Sequence, residues 1–344
     1  MSSIILNTVA TICFVAGKSG GHLLPCITKA QHIKSQRPKT ELYLFSTGTD
    51  LEKKIIDKHP YIHHYTPTTL QDVPYQSPWI YPLFIANTAW YYCKSVYKFW
   101  KLKPEKVISF GGFNSIPVFF AAKSLHIPFE LYELNVEPGK ATTFLARFCN
   151  TIYTCFDQTK KYLPKNTCIN FDYPVRFTPK DKSHDKETLL KKYNFSNKRK
   201  TIVILGGSQG STLLNEVIKE CLQSYPDLQK SIQIIHQTGG DQSEYYANIY
   251  KQLGIPCVVF GYHERLQDFY NLADLIISRA GAGTLFEIKF FDKPCICIPH
   301  ETANTNHQIK NVLALQEQYP DQFNIIKQSL FNKEILYTAL CKGI

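Results

Sequence analysis

Two glycine-rich turns hold the residues best placed for chemistry. The first, VAGKSGGHLLP at residues 15–25, sets Gly17, Lys18, Ser19, Gly20, Gly21 and His22 between an apolar run and a helical pattern. Gly17-Lys18-Ser19 looks like the tail of a nucleoside-triphosphate loop. That loop needs a glycine five positions before Gly17 so that the backbone can curl around phosphates, and the position holds Ile12. The dinucleotide fingerprint G-x-G-x-x-G fails too, because Ser19 stands at its second glycine. What is left is a strand, a turn and a helix start, with Pro25 suited to the helix's first turn. Free N–H groups at such a start attract anions; close strand-helix packing is the alternative reason for the glycines. The second turn lies about 190 residues on, where TIVILGGSQGSTLLNEVI repeats the plan of TICFVAGKSGGHLLPCITKA. In open α/β sheets ligands bind beyond the carboxyl ends of strands, so two such turns facing one cleft would form a single site for a diphosphate.

The elements that must position these turns are legible as alternation. Strand-like apolar runs fall at residues 10–16, 41–46, 107–110, 129–134, 152–156 and 168–171. A polar segment, 180–200, follows, with a short helical stretch near 187–193. Alternation then restarts at 201–205, 232–236, 257–260, 275–278 and 295–298. Continuous apolar strands separated by helices imply parallel sheets covered on both faces. The reading is an α/β protein of two doubly wound Rossmann-like domains facing a central cleft, residues 1–175 and 176–344. The length of 344 residues agrees with two domains.

Eleven scattered cysteines without a C-x-x-C pair favour reduced thiols in a cytosolic protein over zinc or disulfides; Cys295 and Cys297 would share a strand face. No apolar run approaches the roughly 20 residues of a membrane span, and the N-terminus lacks a basic signal region. Net charge is +11, and residues 1–172 supply +8 of it, with 19 Lys and Arg against 11 Asp and Glu. Anionic lipid or a phosphorylated substrate suits that excess. No zinc-finger, RNA-recognition or helix-turn-helix signature accompanies it, so nucleic acid is not expected.

Taken jointly, Gly17-Lys18-Ser19-Gly20-Gly21-His22, Gly111-Gly112-Phe113, Glu133-Leu134-Asn135, Pro174-Val175-Arg176, Gly206-Gly207-Ser208-Gln209-Gly210-Ser211, residues 278–284 (SRAGAGT) and Asn306-His307-Gln308 occur in the order and spacing of MurG-type enzymes. The chain resembles these peptidoglycan N-acetylglucosaminyltransferases over about residues 9–315. The resemblance implies a GT-B fold and inverting transfer of N-acetylglucosamine from UDP-N-acetylglucosamine to undecaprenyl-pyrophosphoryl-muramoyl-pentapeptide, which converts lipid I into lipid II. It implies attachment to the cytoplasmic face of the bacterial plasma (inner) membrane. No cofactor or essential metal is expected, since neither half shows a D-x-D motif before its turns. A diacylglycerol glycosyltransferase of similar fold and an inactive nucleotide-sugar-binding protein are the rival readings.

Departure of a diphosphate without a metal calls for a turn of N–H donors, a task for Ser208, Gln209 and Gly210. Glu287, after a further glycine turn, has the carboxylate to accept both ribose hydroxyls; its alternative is a dipole-facing acid. By resemblance, Ala282, Gly283, Thr284, Leu285 and Phe286 contact the nucleotide, and His263 offers main chain to uracil. Gln308 and Asn135 contact the donor sugar, Arg176 the diphosphate, and Ser19, Gly20 and Gly21 of the first turn also bind UDP-N-acetylglucosamine. For proton removal from the acceptor, His22 and Glu133 are both candidates, while His22 as a helix cap or diphosphate contact stays open. Tyr132 and Leu134 stand where the family usually has histidine and glutamine, which puts in doubt any mechanism needing that histidine. The stretch 79–106, WIYPLFIANTAWYYCKSVYKFWKLKPEK, alternates aromatic and basic residues at helical spacing. An anionic membrane surface would take such a face; packing on the sheet is the plainer use.

Overall fold

Strands of three to six residues, apolar on both faces, leave the chain little choice but parallel pairing beneath two layers of helices. A computed structural model describes residues 10–17, 20–68, 70, 74, 77–164, 168–182, 185–207, 209–263, 265–301 and 306–343. It divides the chain into two units, Met1–Arg176 and Phe177–Ile344.

In the first unit the strands are β1 (Thr11–Val15), β2 (Glu41–Ser46), β3 (His64–Pro67), β4 (Lys106–Ser109), β5 (Phe129–Glu133), β6 (Ile152–Thr154) and β7 (Cys168–Asn170). They form one parallel sheet in the order β3-β2-β1-β4-β5-β6-β7. The helices are α1 (Gly20–Gln36), α2 (Asp50–Ile56), α3 (Tyr81–Leu102), α4 (Ser115–Ser124) and α5 (Lys140–Leu145). Alternate residues of the strands feed opposite faces. Ile12, Phe14, Ile108 and Phe110 pack with Leu23 and Ile27 of α1, whereas Cys13, Val15 and Val107 pack with Phe99 of α3 and Val118 of α4. Thr49 and Glu52 close a reciprocal capping box at the start of α2, a device worth about 1 kcal/mol.

The second unit repeats the scheme with β8 (Lys200–Leu205), β9 (Ile232–Gln237), β10 (Cys257–Phe260), β11 (Leu275–Ser278), β12 (Cys295–Cys297) and β13 (Phe323–Ile325), ordered β10-β9-β8-β11-β12-β13. Its helices are α6 (Lys186–Lys192), α7 (Thr212–Ser224), α8 (Pro226–Ser231), α9 (Ser243–Gln252), α10 (Leu266–Leu272), α11 (Ala282–Phe291), α12 (His307–Gln318) and α13 (Lys333–Gly343). In each sheet the order reverses beside the first strand, between β1 and β4 and between β8 and β11. That reversal opens the crevice in which doubly wound folds take ligands.

Two features differ from the sequence reading. β3 (HYTP) and β13 (FNI) lie at sheet edges and are too short or too polar to register as apolar runs. Pro25 sits inside α1, which begins five residues earlier, and removes the N–H that the Gly21 carbonyl would otherwise accept. The last helix, α13, belongs to the second unit and packs on α7. There Leu336 and Leu340 join Ile202 and Ile277 in the second unit's core.

Candidate functional site

In the first unit the turns after β1 and β4 meet backbone to backbone. Gly112 has φ +90°, and a Cβ there would lie 2.4 Å from the Gly17 Cα, so neither position admits a side chain. Buried Asn114 ties the turns together by donating Nδ2 to the Ala16 carbonyl at 2.7 Å. Gly20 and Gly21 open α1, where N–H groups have no intrahelical partner. His22, half-buried, wedges its ring against both turns, since a Cβ on Gly17 or Gly111 would come within 3.2 Å of Nδ1 or 3.4 Å of Cε1. Lys18 and Ser19 lie outside the described residues.

Glu133 ends β5 with its carboxylate buried and occupied. Oε1 accepts the N–H groups of Leu134 (2.9 Å) and Asn135 (3.0 Å) and the Asn135 side-chain amide (3.2 Å), while Oε2 accepts the Gly139 N–H (3.2 Å). These four donors shape the loop leading into α5. The geometry anchors the loop and Asn135. Arg176 is half-buried at the end of this unit.

The two departures from the family pattern are packing residues. Tyr132 stacks between Phe110 (ring centroids 5.0 Å) and Tyr153 (4.6 Å), with Phe171 edge-on at 4.8 Å. Burial, with the neighbouring Glu130 carboxylate, drives its phenol far above the usual range. Leu134 lies in the same core beneath α1. The usual histidine position is therefore an aromatic stack that offers no base near neutral pH.

In the second unit the turn after β8 leads to α7, whose N-cap Ser211 accepts the Leu214 N–H. Gly206 and Gly210 are squeezed by neighbouring backbone. Gly210 has φ +76°, and a Cβ there would lie 2.0 Å from the Thr238 carbonyl oxygen and 2.7 Å from the Gly239 Cα. The loop after β9 thus backs the turn, and Gly261 after β10 backs that loop in its turn, a Cβ there meeting the Gly240 carbonyl oxygen at 2.6 Å. Gln209 is exposed at the tip; Ser208 lies outside the described residues. Behind the turn is Arg279, which donates Nε to Ser211 Oγ (3.1 Å) and Nη1 to the Ile298 carbonyl (3.1 Å) and Gln328 Oε1 (2.8 Å). It braces the turn against the ends of β12 and β13 and sets a cation behind it.

Ala282, Gly283 and Thr284 form the first turn of α11, entered through Gly281 without a side-chain cap. Leu285 and Phe286 bury their side chains, so any ligand contact from Leu285 is through its backbone. Glu287 is half-buried in the helix's second turn, with Oε2 held by the hydroxyl of buried Tyr270 at 2.8 Å. His263 is fixed between Phe260 (5.3 Å) and Phe269 (4.7 Å), and its Nδ1 accepts the Arg265 N–H at 3.1 Å. Gln308 Oε1 accepts the N–H groups of Ala280 (3.1 Å) and His300 (2.8 Å), joining the loops after β11 and β12. Two N–H partners identify that atom as the oxygen, leaving the NH2 end as the donor for a ligand. The structure thus gathers Gln209, Gly283, Thr284, Glu287 and Gln308 around the carboxyl ends of β8, β11 and β12.

Sequence reasoning did not assign Arg279, Tyr270, Asn114 or the loop at 238–240. Only the last left a local signal, the pair Gly239-Gly240 directly after a strand-like run; the others depend on partners distant in sequence.

On α3, Leu83, Trp90 and Tyr97 recur every seven residues and are 61%, 66% and 55% exposed, with Trp100 beside them. The Lys101 ammonium sits 4.6 Å over the Tyr97 ring. Ser95 and Phe99, on the other side, are buried. No helix among the described residues is long and apolar enough to cross a membrane.

The models of the glycosyltransferase family 28 N-terminal and C-terminal domains match residues 12–154 and 201–336. A UDP-N-acetylglucosamine–N-acetylmuramyl-(pentapeptide) pyrophosphoryl-undecaprenol N-acetylglucosamine transferase of Thermodesulfovibrio yellowstonii is 30% identical over 315 residues, covering 88% of this chain and 82% of the relative. A transferase of the same name from Geobacter metallireducens is 27% identical over 327 residues, covering 95% and 88%. Among solved structures, the crystal structure of Acinetobacter baumannii MurG shares the fold, with TM-score 0.71 and 22% identity over 97% of this chain and 90% of that one.

Proposed function

The chain belongs to glycosyltransferase family 28, and on that premise we infer that it transfers N-acetylglucosamine from UDP-N-acetylglucosamine to the muramoyl 4-hydroxyl of undecaprenyl-pyrophosphoryl-muramoyl-pentapeptide, making lipid II from lipid I. The observation that carries this reading is at the carboxyl ends of two neighbouring strands of the second unit: β8 leads into a glycine turn backed by Gly239 and braced by Arg279, and β11 leads into α11 with its Tyr270-anchored Glu287. Amides of the 206–211 turn, Ser208 and Gln209 included, take the diphosphate, assisted by Arg176. Glu287 accepts the ribose hydroxyls, the α11 start from Ala282 to Phe286 receives the nucleotide, and the His263 main chain meets uracil. Gln308 and Asn135 hold the sugar.

The first unit takes the acceptor, and Ser19, Gly20 and Gly21 bind UDP-N-acetylglucosamine. The 4-oxygen attacks the anomeric carbon as the bond to UDP breaks, with inversion, and the hydroxyl proton passes to a base. His22 fits that role better than Glu133, whose oxygens already serve four donors. The exposed aromatic and basic face of α3 rests on an anionic membrane surface, the cytoplasmic leaflet of the bacterial inner membrane.

Incubation with UDP-N-acetylglucosamine and a lipid I analogue tests the reading. UDP release only with the muramoyl acceptor supports it. Release only with diacylglycerol, or tight UDP binding without turnover, overturns it.

A further inference from the structure

Beneath the donor turn, α7, β9 and α9 enclose a line of buried polar side chains with no place in the scheme above. His236 on β9 has no exposed surface; its Nδ1 lies 2.7 Å from the Tyr250 hydroxyl and its Nε2 3.0 Å from Asn215 Oδ1. Asn215, in the first turn of α7 and also fully buried, donates Nδ2 to the Thr238 carbonyl at 3.0 Å and to Gln242 Oε1 at 3.2 Å.

These contacts orient every proton in the line. Two acceptors identify the Asn215 nitrogen, so Oδ1 must accept, the imidazole proton must sit on Nε2, and Nδ1 must accept the tyrosine O–H. Burial pushes His236 down to about 3, which keeps the ring neutral and the pattern unbroken. The line runs Tyr250 to His236 to Asn215 to Thr238, and each donor has one direction. It ends at the carbonyl against which Gly210 rests, the oxygen that a Cβ at 210 would meet at 2.0 Å. Asn215 is also joined to the turn through its own helix, since its N–H donates to the Ser211 carbonyl at 3.0 Å.

We propose that Asn215 and His236 are positioning residues for donor binding: they fix the Thr238 carbonyl, which in turn fixes Gly210 and aims the amides of the 206–211 turn at the diphosphate. This rests on the assignment of that turn to UDP-N-acetylglucosamine. Neither side chain touches the ligand. A buried, fully satisfied polar line of this kind holds a single geometry because any shift leaves a donor or acceptor unmet.

The test uses the full chain with Asn215→Ala and Tyr250→Phe. Donor KM and kcat are measured with a lipid I analogue, UDP affinity by calorimetry, and folding by thermal melting. Asn215→Ala raises donor KM and the UDP dissociation constant about tenfold, and Tyr250→Phe about threefold, with smaller changes in kcat. Partial unfolding alone would lower kcat through the active fraction and leave KM untouched. Wild-type donor KM and UDP affinity in the folded variants overturn the proposal. Should Asn215→Ala not fold, Tyr250→Phe, which removes one oxygen and keeps the packing, decides alone. If the wild-type chain itself does not bind UDP, the donor-site reading fails, an outcome distinct from wild-type binding that survives both substitutions.

Discussion

Gly210→Ala separates a site that depends on backbone contact from one that merely contains a flexible turn. With φ +76°, any side chain at 210 carries the left-handed penalty, about 1–2 kcal/mol. Gly254, at the α9–β10 connection, has φ +67° and nothing within 4 Å of where a methyl would stand, so Gly254→Ala bears that penalty alone. At 210 the methyl would also stand 2.0 Å from the Thr238 carbonyl oxygen, which must retreat about 1.4 Å to reach ordinary contact at 3.4 Å. Thr238 is tied by Asn215 and by its own N–H to the Phe260 carbonyl at 3.0 Å, and the retreat strains both bonds at about 1 kcal/mol each. The expected cost is roughly 2–5 kcal/mol at 210 against about 1–2 at 254.

For a unit of this size each kcal/mol lowers Tm by about 2–4 °C. Thermal unfolding of the full chain, with the second unit's transition recognised by its upward shift with UDP, should place Gly210→Ala well below Gly254→Ala. If the clash is relieved instead by a shift of the 206–211 turn of about 1 Å, UDP binding should also weaken by about a hundredfold, while Gly254→Ala binds as the wild type does. Equal melting and equal UDP affinity for the two variants would refute the view that the β9 loop sets the donor turn.

Four further outcomes follow from the geometry. Glu287→Gln can still accept the Tyr270 hydroxyl but loses its charge, so donor KM should rise about tenfold with Tm nearly unchanged; an unaltered KM removes Glu287 from the ribose. His22→Ala should lower kcat about a hundredfold or more and leave UDP affinity within about twofold, since the residue serves the acceptor side; weakened UDP binding would contradict that division. Trp90→Glu, on the exposed face of α3, should keep Tm and abolish co-sedimentation with anionic vesicles; absence of wild-type binding at low salt would withdraw the membrane assignment. Finally, His236 stays neutral in the folded chain down to about pH 3, whereas the unfolded chain takes up the proton near 6.5. Below that value the unfolded state binds more protons, so stability is lost as pH falls from about 6.5 towards 3, about 2 kcal/mol of it by pH 5. His236→Gln should flatten that part of the curve for the second unit, and an unchanged slope in urea titrations would show that other groups set it.

What the sequence made legible was what its local grammar encodes. Continuous apolar runs located eleven strands, and the repeated strand-turn-helix plan pointed to the ends of β1 and β8, where the topology places ligands. The edge strands β3 and β13 escaped because short, partly polar strands rely on a neighbour for hydrogen bonds and carry no periodicity of their own. Asn215 shows the same limit at the site. Along TLLNEVIKEC it reads as an ordinary polar interruption of a helix, and its partners lie 21 to 27 residues away.

The two glutamates make the point sharpest, because one side-chain type is held in two ways: Glu133 at the end of β5 and Glu287 in the second turn of α11. Glu133 is surrounded by N–H donors from its own loop, which make its carboxylate a clasp for that loop. Glu287 is held through Oε2 by a hydroxyl projecting from another helix, an arrangement that orients the group without wrapping the chain around it. For Glu133 the four donors lie within six residues and belong to one local loop, whereas for Glu287 the anchoring hydroxyl is seventeen residues away and is brought in only by the packing of α10 against α11.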